Sequence, residues 1–295
     1  MSKASSTRIF AILARSAPVA VIFRRGPSKQ VLLIKWSLRS DTLEYGQWLK
    51  GRIYEHRCDL SPSGDLLLYF AAKYKEPLRS WTAISKPPYL TALALWPKGD
   101  GWGGGGVFES ELSFQLNHRP GEDMLAEGFQ LKKNMRVALY GKRPGWGEDF
   151  PIYHSLLLHR GWVLIGEGET GEPDWNARIV WKFTQPIAYE KRATGGYRLR
   201  MLIKGMSQKN DAWYWTDYEV LNAREGLSFT LPRTDWADWD GDGDLVFAKD
   251  GKLFRLNREN LSRFQTRGDE ALKQIANFSD LKFESREAPA KATGW

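Results

Sequence analysis

Short apolar runs separated by clusters of Gly, Pro, Asp and Ser recur along the whole chain. In the first half, Val19–Phe23, Val31–Trp36, Leu66–Ala71, Tyr89–Trp96, Val107–Phe108 and Leu112–Leu116 have the length and composition of strands. Val137–Tyr140, Tyr153–Leu158, Trp162–Ile165, Ile179–Phe183, Tyr197–Ile203, Trp213–Val220 and Leu227–Leu231 continue the series. Val19–Phe23 and Val31–Trp36 read as a hairpin with a long loop turning at Gly26-Pro27, and further turns are predicted at Ser61–Gly64 and in the Gly/Trp/Pro cluster around Trp146. Asp250-Gly251, set between Leu245–Ala248 and Leu253–Leu256, is a dipeptide that suits a mirror-image hairpin turn. The segment from Ser37 to Gly51 has no helical period. A helical stripe is confined to Asp269–Phe278, where Leu272, Ile275, Ala276 and Phe278 follow the break at Gly268.

Two of these units are alike. Ser61-Pro62-Ser63-Gly64-Asp65-Leu66 places a turn directly before a hydrophobic strand, and Gly243-Asp244-Leu245 within residues 239–256 does the same. Turn-to-strand units near Gly64, Gly99, Gly145 and Gly243, with a less regular one around residues 195–220, are spaced at intervals compatible with blades of about 40–50 residues. In these features the chain resembles degenerate, WD40-like β-propeller repeat proteins, although no WD dipeptide closes each unit. The resemblance implies an all-β fold, an irregular β-propeller of roughly five or six blades. A sandwich or barrel and a mixed α+β arrangement are the alternatives. On this reading residues 1–295 form a single domain, with 259–295 as a helical extension packed on it. Edge protection predicts that Val19–Phe23 pairs with the late hairpin Leu245–Leu256 to close the ring.

Composition narrows the function classes. The chain is 42% hydrophobic and 26% charged, which describes a folded protein. Fourteen Trp, eleven Tyr, fourteen Phe and twenty-eight Gly favour strands and tight turns. A single cysteine, Cys58, excludes an internal disulfide framework and a cysteine-rich zinc site. No apolar run approaches the length of a membrane span, and Arg8, Arg15 and Ser16 interrupt the opening residues, so a cytoplasmic location is expected. The net charge of +8 is compatible with an acidic partner without requiring one.

The sharpest chemical pattern is Asp238, Asp240, Asp242 and Asp244 around Gly243, whose alternating carboxylates resemble the start of a calcium loop. Lys249 stands where an EF-hand needs its bidentate carboxylate, so an acidic turn with no required metal is predicted. His56, His118, His154 and His159 lack zinc-ligand spacing, and neither Cys58 nor Ser155 lies in a nucleophile motif. The glycine runs at 101–106 and 166–173 lack the Lys-Ser/Thr ending of a phosphate loop. No cofactor is expected.

The reading these features favour is a non-enzymatic intracellular scaffold that binds a protein partner. Trp102 and Trp146, each in a Gly-rich loop, are its predicted contact anchors, because Trp offers a large apolar area at small entropic cost. A carbohydrate-binding or glycoside-hydrolysing β protein is the first alternative, with Glu109, Glu111, Glu167 and Glu169 among its candidate carboxylates. Nucleic-acid binding through Lys191, Arg192, Arg198, Arg200 and Lys204 is the second.

Overall fold

The computed structural model describes residues 7–26, 29–209, 212–231 and 234–295. Pro27, half of the first predicted turn, lies outside the described residues. The chain divides into two compact units, one made of Met1–Ile9 and Leu157–Asp280, the other of Phe10–Leu156 and Leu281–Trp295.

In the unit built on Phe10–Leu156, β1 (Arg8–Leu13, entering from the other unit), β2 (Val19–Arg25), β3 (Gln30–Ser37) and β4 (Thr42–Lys50) form a sheet in chain order. A second sheet holds β5 (Arg52–Ile53), β6 (Asp59–Leu60), β7 (Leu67–Ala72), β8 (Ser80–Ser85) and β9 (Ala94–Lys98). The third is β10 (Gly106–Ser110), β11 (Ser113–Leu116) and β12 (Arg136–Leu139), and a helix, α1 (Ile152–His159), follows it. Leu68, Ile84, Trp96, Phe108, Phe114 and Leu116 fill one continuous core, with Phe114 edge-on to Trp96 at 5.6 Å. Burying such rings removes them from water and fixes their sheets against each other.

The other unit carries a long sheet of β13 (Val163–Thr170), β14 (Ile179–Arg192), β15 (Arg198–Gln208), β16 (Tyr214–Asn222) and β17 (Leu227–Leu231). Beside it in sequence come β18 (Thr234–Trp239), β19 (Leu245–Lys249), β20 (Lys252–Leu256) and β21 (Lys273–Asn277). A short helix, α2 (Leu261–Arg267), interrupts the chain before β21.

The chain is therefore mostly β, as its apolar pattern predicts, but the propeller expectation is overturned. Among the described residues there are five separate sheets, and none closes. Their strand counts are four, five, three, five and four, and β11 pairs with β12 in parallel, so a four-stranded antiparallel blade does not recur through the five sheets. Nor does the early strand close a ring: beyond its expected pairing with β3, from Val19↔Ser37 to Arg25↔Val31, β2 has β1 on its other edge, and the late hairpin pairs with β18 and β21. The WD40-like resemblance rested on turn-to-strand units, and those turns join neighbours within local sheets.

Two further assignments change. Tyr153–Leu158 is helical, not extended: a short apolar run carries no period that separates the two states. The late helix ends at Gly268, whose φ of 55° is left-handed, and Lys273–Asn277 is an edge strand on β20. The Asp250-Gly251 hairpin forms as predicted, with both residues at positive φ and Lys249 opposite Lys252.

Candidate functional site

Two glycine-rich loops of the unit built on Phe10–Leu156 meet and carry the two predicted anchors. The first runs from β9 to β10 through Gly101–Gly106, and the second follows β12 through Gly141–Asp149. Their backbones touch, with Gly103 N donating to Gly147 O at 2.9 Å. A Cβ on Gly103 would stand 2.5 Å from the Cα of Gly145, and one on Gly105 would stand 1.8 Å from the carbonyl oxygen of Arg57. Gly103, Gly104 and Gly105 all have positive φ, a region open to Gly and strained for other residues. The glycine run is a close backbone approach.

Two buried side chains staple the loops from beneath. Asn117 donates from Nδ2 to Gly104 O at 3.3 Å and accepts the Gly145 amide on Oδ1 at 2.8 Å, so one amide group bridges both loops. Arg57 does the same with charge. Its Nη1 donates to the carbonyls of Gly101 and Gly103, each at 2.6 Å, and its Nε donates to Asp149 Oδ1 at 2.6 Å. The guanidinium also lies 4.5 Å from the centre of the Tyr54 ring. A buried arginine needs such a full set of acceptors, because an unpaired buried charge costs several kcal/mol.

Trp102 and Trp146 flank this junction, 51% and 61% exposed. The Trp102 amide donates to Asp100 Oδ1 at 3.0 Å, and Arg119 lies 5.9 Å from the centre of the Trp146 ring. Asp100 also takes the Lys98 ammonium at 3.0 Å and Arg119 at 3.3 Å, while Lys98 reaches Glu122 at 2.7 Å. Partial burial pushes the Asp100 carboxyl up, yet Lys98, the Trp102 amide and Arg119 outweigh it and hold the group below its usual range. It stays ionised and keeps the first loop in place. Beside it, His118 Nδ1 faces the carbonyl of Glu122 at 2.8 Å and Nε2 faces Thr82 Oγ1 at 2.7 Å. A carbonyl only accepts, so the proton is on Nδ1 and the Thr82 hydroxyl donates to Nε2 while accepting the Gly105 amide. Burial holds this imidazole down at about 4, so it is neutral at pH 7.

The placement of Trp102 and Trp146 on glycine-rich loops was readable from sequence, and the residues that join those loops were not. Arg57, Asn117 and Arg119 sit far from the glycine runs in sequence and belong to no motif. A polar residue flanked by strand and turn, such as Asn117 after β11, is the one signal present.

The other candidates lie elsewhere. Asp240 and Asp244 both bind the Arg255 guanidinium, Asp244 at 2.9 Å, and Asp240 Oδ1 accepts the amides of Asp242 and Asp244. Asp238 is paired with Lys191 at 2.7 Å. These carboxylates face protein cations and close a turn. Among the described residues no group of three or more His, Cys, Asp or Glu side chains has the geometry to hold a metal ion. Arg200 stands opposite Glu190 in register and binds it at 3.0 Å, with Arg198 at 3.7 Å and Arg192 at 3.8 Å from the same carboxylate group. Lys204 pairs with Asp217. Each cation of the basic stripe on β14 and β15 thus has a carboxylate partner, Glu190 being shared by three arginines and Asp238 coming from β18.

No family model matches the chain, and no curated protein does. A crystal structure of the uncharacterized protein lmo1340 from Listeria monocytogenes EGD-e is similar over 94% of this chain and 85% of that one, at 9% identity and a TM-score of 0.30. Among the described residues no helix is long and apolar enough to cross a membrane.

Proposed function

We propose that this protein is a non-enzymatic interaction scaffold whose Trp102–Trp146 face captures a polypeptide partner. The observation that carries the reading is the locked junction at Gly103 and Gly147, which holds two exposed indoles on adjoining loops. Rigid aromatic anchors lose little entropy on binding, and Trp is enriched at interface hot spots. The second loop adds Lys142 and Arg143, both exposed and without an ion pair among the described residues. Apolar anchors beside unpaired cations fit a partner segment that joins hydrophobic side chains to Asp or Glu. A cytoplasmic setting is part of the proposal, supported by a single buried cysteine.

Glycan binding is the second reading, since exposed indoles also stack on sugar rings. Hydrolysis has less support at this face, because Asp100 and Glu122 are both engaged by Lys98. The experiment is a selection of displayed random peptides on the full chain, run beside a glycan array. Enrichment of acidic-hydrophobic peptides that require both Trp residues supports the proposal. Glycan binding with no peptide enrichment overturns it in favour of the second reading.

A further inference from the structure

Away from the Trp face, the same unit holds a cavity of about 400 Å³. It opens between β3, β4, the loop 86–91, the turns at 61–66 and 110–113, and the segment 291–295. Its size falls in the range of small-ligand sites, roughly 300–1,000 Å³. Asp65 and Leu66 in its wall belong to the Ser61–Leu66 turn, which the sequence marks out and the Trp face does not use.

The walls are fastened by hydrogen bonds. A Cβ on Gly46 would stand 1.8 Å from the carbonyl oxygen of Pro88, so β4 approaches the 86–91 loop as only a glycine allows. Gln47 extends that join: its amide donates to Pro88 O at 3.1 Å, and its Oε1 accepts from Leu90 N at 2.7 Å and Thr91 Oγ1 at 3.1 Å. On the opposite side Lys86 Nζ donates to the carbonyls of Lys291 and Gly294, and Trp295 Nε1 donates to Gln130 O at 2.8 Å. These hydrogen bonds hold the walls of the cavity in place.

Its charges are uneven in use. Glu111 accepts both the amide and the hydroxyl of Ser63, and Glu44 lies 3.5 Å from the Tyr89 hydroxyl. Lys35, Lys132 and Lys291 also line the cavity, and their ammonium groups have no ion pair or hydrogen bond among the described residues. Three lysines whose ammonium groups have no partner among the described residues, all in the wall of one concavity, suit a doubly charged anion, for which lysine serves as a point-charge donor. Tyr89, Leu112 and Trp295 add apolar surface to the lining, and Asp65 and Glu44 add carboxylates able to accept from hydroxyls. We propose that this cavity binds a small sugar phosphate, with the phosphate held by Lys35, Lys132 and Lys291. The site is separate from the Trp face and does not depend on it.

Calorimetric titration of the full chain with glucose 6-phosphate, ribose 5-phosphate, inorganic phosphate and glucose tests this. Saturable binding of at least one sugar phosphate is expected, with inorganic phosphate weaker and glucose without measurable heat. Lys132→Ala/Lys291→Ala should weaken the sugar phosphate at least tenfold, and Lys132→Arg/Lys291→Arg should largely retain it. Trp102→Ala/Trp146→Ala should leave it unchanged. Absence of saturable binding by either sugar phosphate overturns the proposal, as does equal affinity in the double Ala variant.

Discussion

The side-chain carbonyl of Asn117 accepts the backbone amide of Gly145 at 2.8 Å, while its NH2 group donates to the carbonyl of Gly104. Together with Arg57 and the Gly103–Gly147 hydrogen bond, this buried amide bridges two loops that no sheet ladder joins. Asn117→Ala should cost about 1–3 kcal/mol, because it leaves a buried donor without its acceptor. Hydrogen exchange makes the expectation specific. The Gly145 amide should lose protection, whereas the Gly104 amide, which donates to the backbone carbonyl of Asn117, should keep most of its own.

The glycines of the first loop should not be interchangeable with others of similar backbone. Gly121 has φ 88° and open space around its missing Cβ, whereas Gly103 has φ 62° and would drive a Cβ against Gly145. Gly121→Ala should therefore show only the conformational cost, about 1 kcal/mol. Gly103→Ala should show that cost plus the steric one, and urea unfolding midpoints of the two variants measure the difference.

Acid should weaken the unit through His118. Burial holds its folded-state value at about 4, below the ordinary 6.5, so the unfolded chain takes up the proton first. The stability it contributes is complete above about pH 6.5 and is lost as pH falls toward 4, amounting to about 3 kcal/mol at most. In His118→Asn, stability at pH 7 should be lower, and the part of the pH dependence lying between 6.5 and 4 should flatten. Thermal unfolding of both proteins across that window reads the effect.

The acidic turn at 238–244 should respond to its arginine and not to calcium. Arg255→Met leaves Asp240 buried without its cation, a change that costs about 3–5 kcal/mol. Asp240→Asn should cost less, since an amide oxygen still accepts from the amides of Asp242 and Asp244. Calcium at millimolar concentration should leave the wild-type melting temperature unchanged; a saturable rise that Asp240→Asn abolishes would contradict this account.

Local chemistry was legible where it was self-contained. Asp250-Gly251 names its own turn, and β2, β3, β7 and β15 announce themselves as apolar runs. Strand β8 did not, because Ser80, Thr82 and Ser85 are buried polar residues that mimic a loop; Ser80 finds the Lys98 and Asp100 carbonyls, and Thr82 finds His118. Strand β18 was hidden for a similar reason, its Asp235 and Asp238 reading as an acidic turn. Sheet order was legible only for local hairpins, as where Val19–Phe23 and Val31–Trp36 pair across their turn. Apolar periodicity marks which face of a strand is buried but not which distant strand lies beside it, so blade-like spacing suggested a ring where the other edge of Val19–Arg25 is taken by β1. The same limit applies to the site: each Trp loop was visible, and their contact depends on tertiary approaches at Gly103, Gly145 and Asn117.

The central claim is that Trp102 and Trp146 act together as a binding face. Surface plasmon resonance of a peptide selected on the wild-type chain, compared with Trp102→Ala/Trp146→Ala, tests it most directly. Both rings are more than half exposed, so the double variant should unfold at an unchanged temperature while its affinity falls at least tenfold, about 1.4 kcal/mol. Equal affinity for the folded double variant would contradict the account.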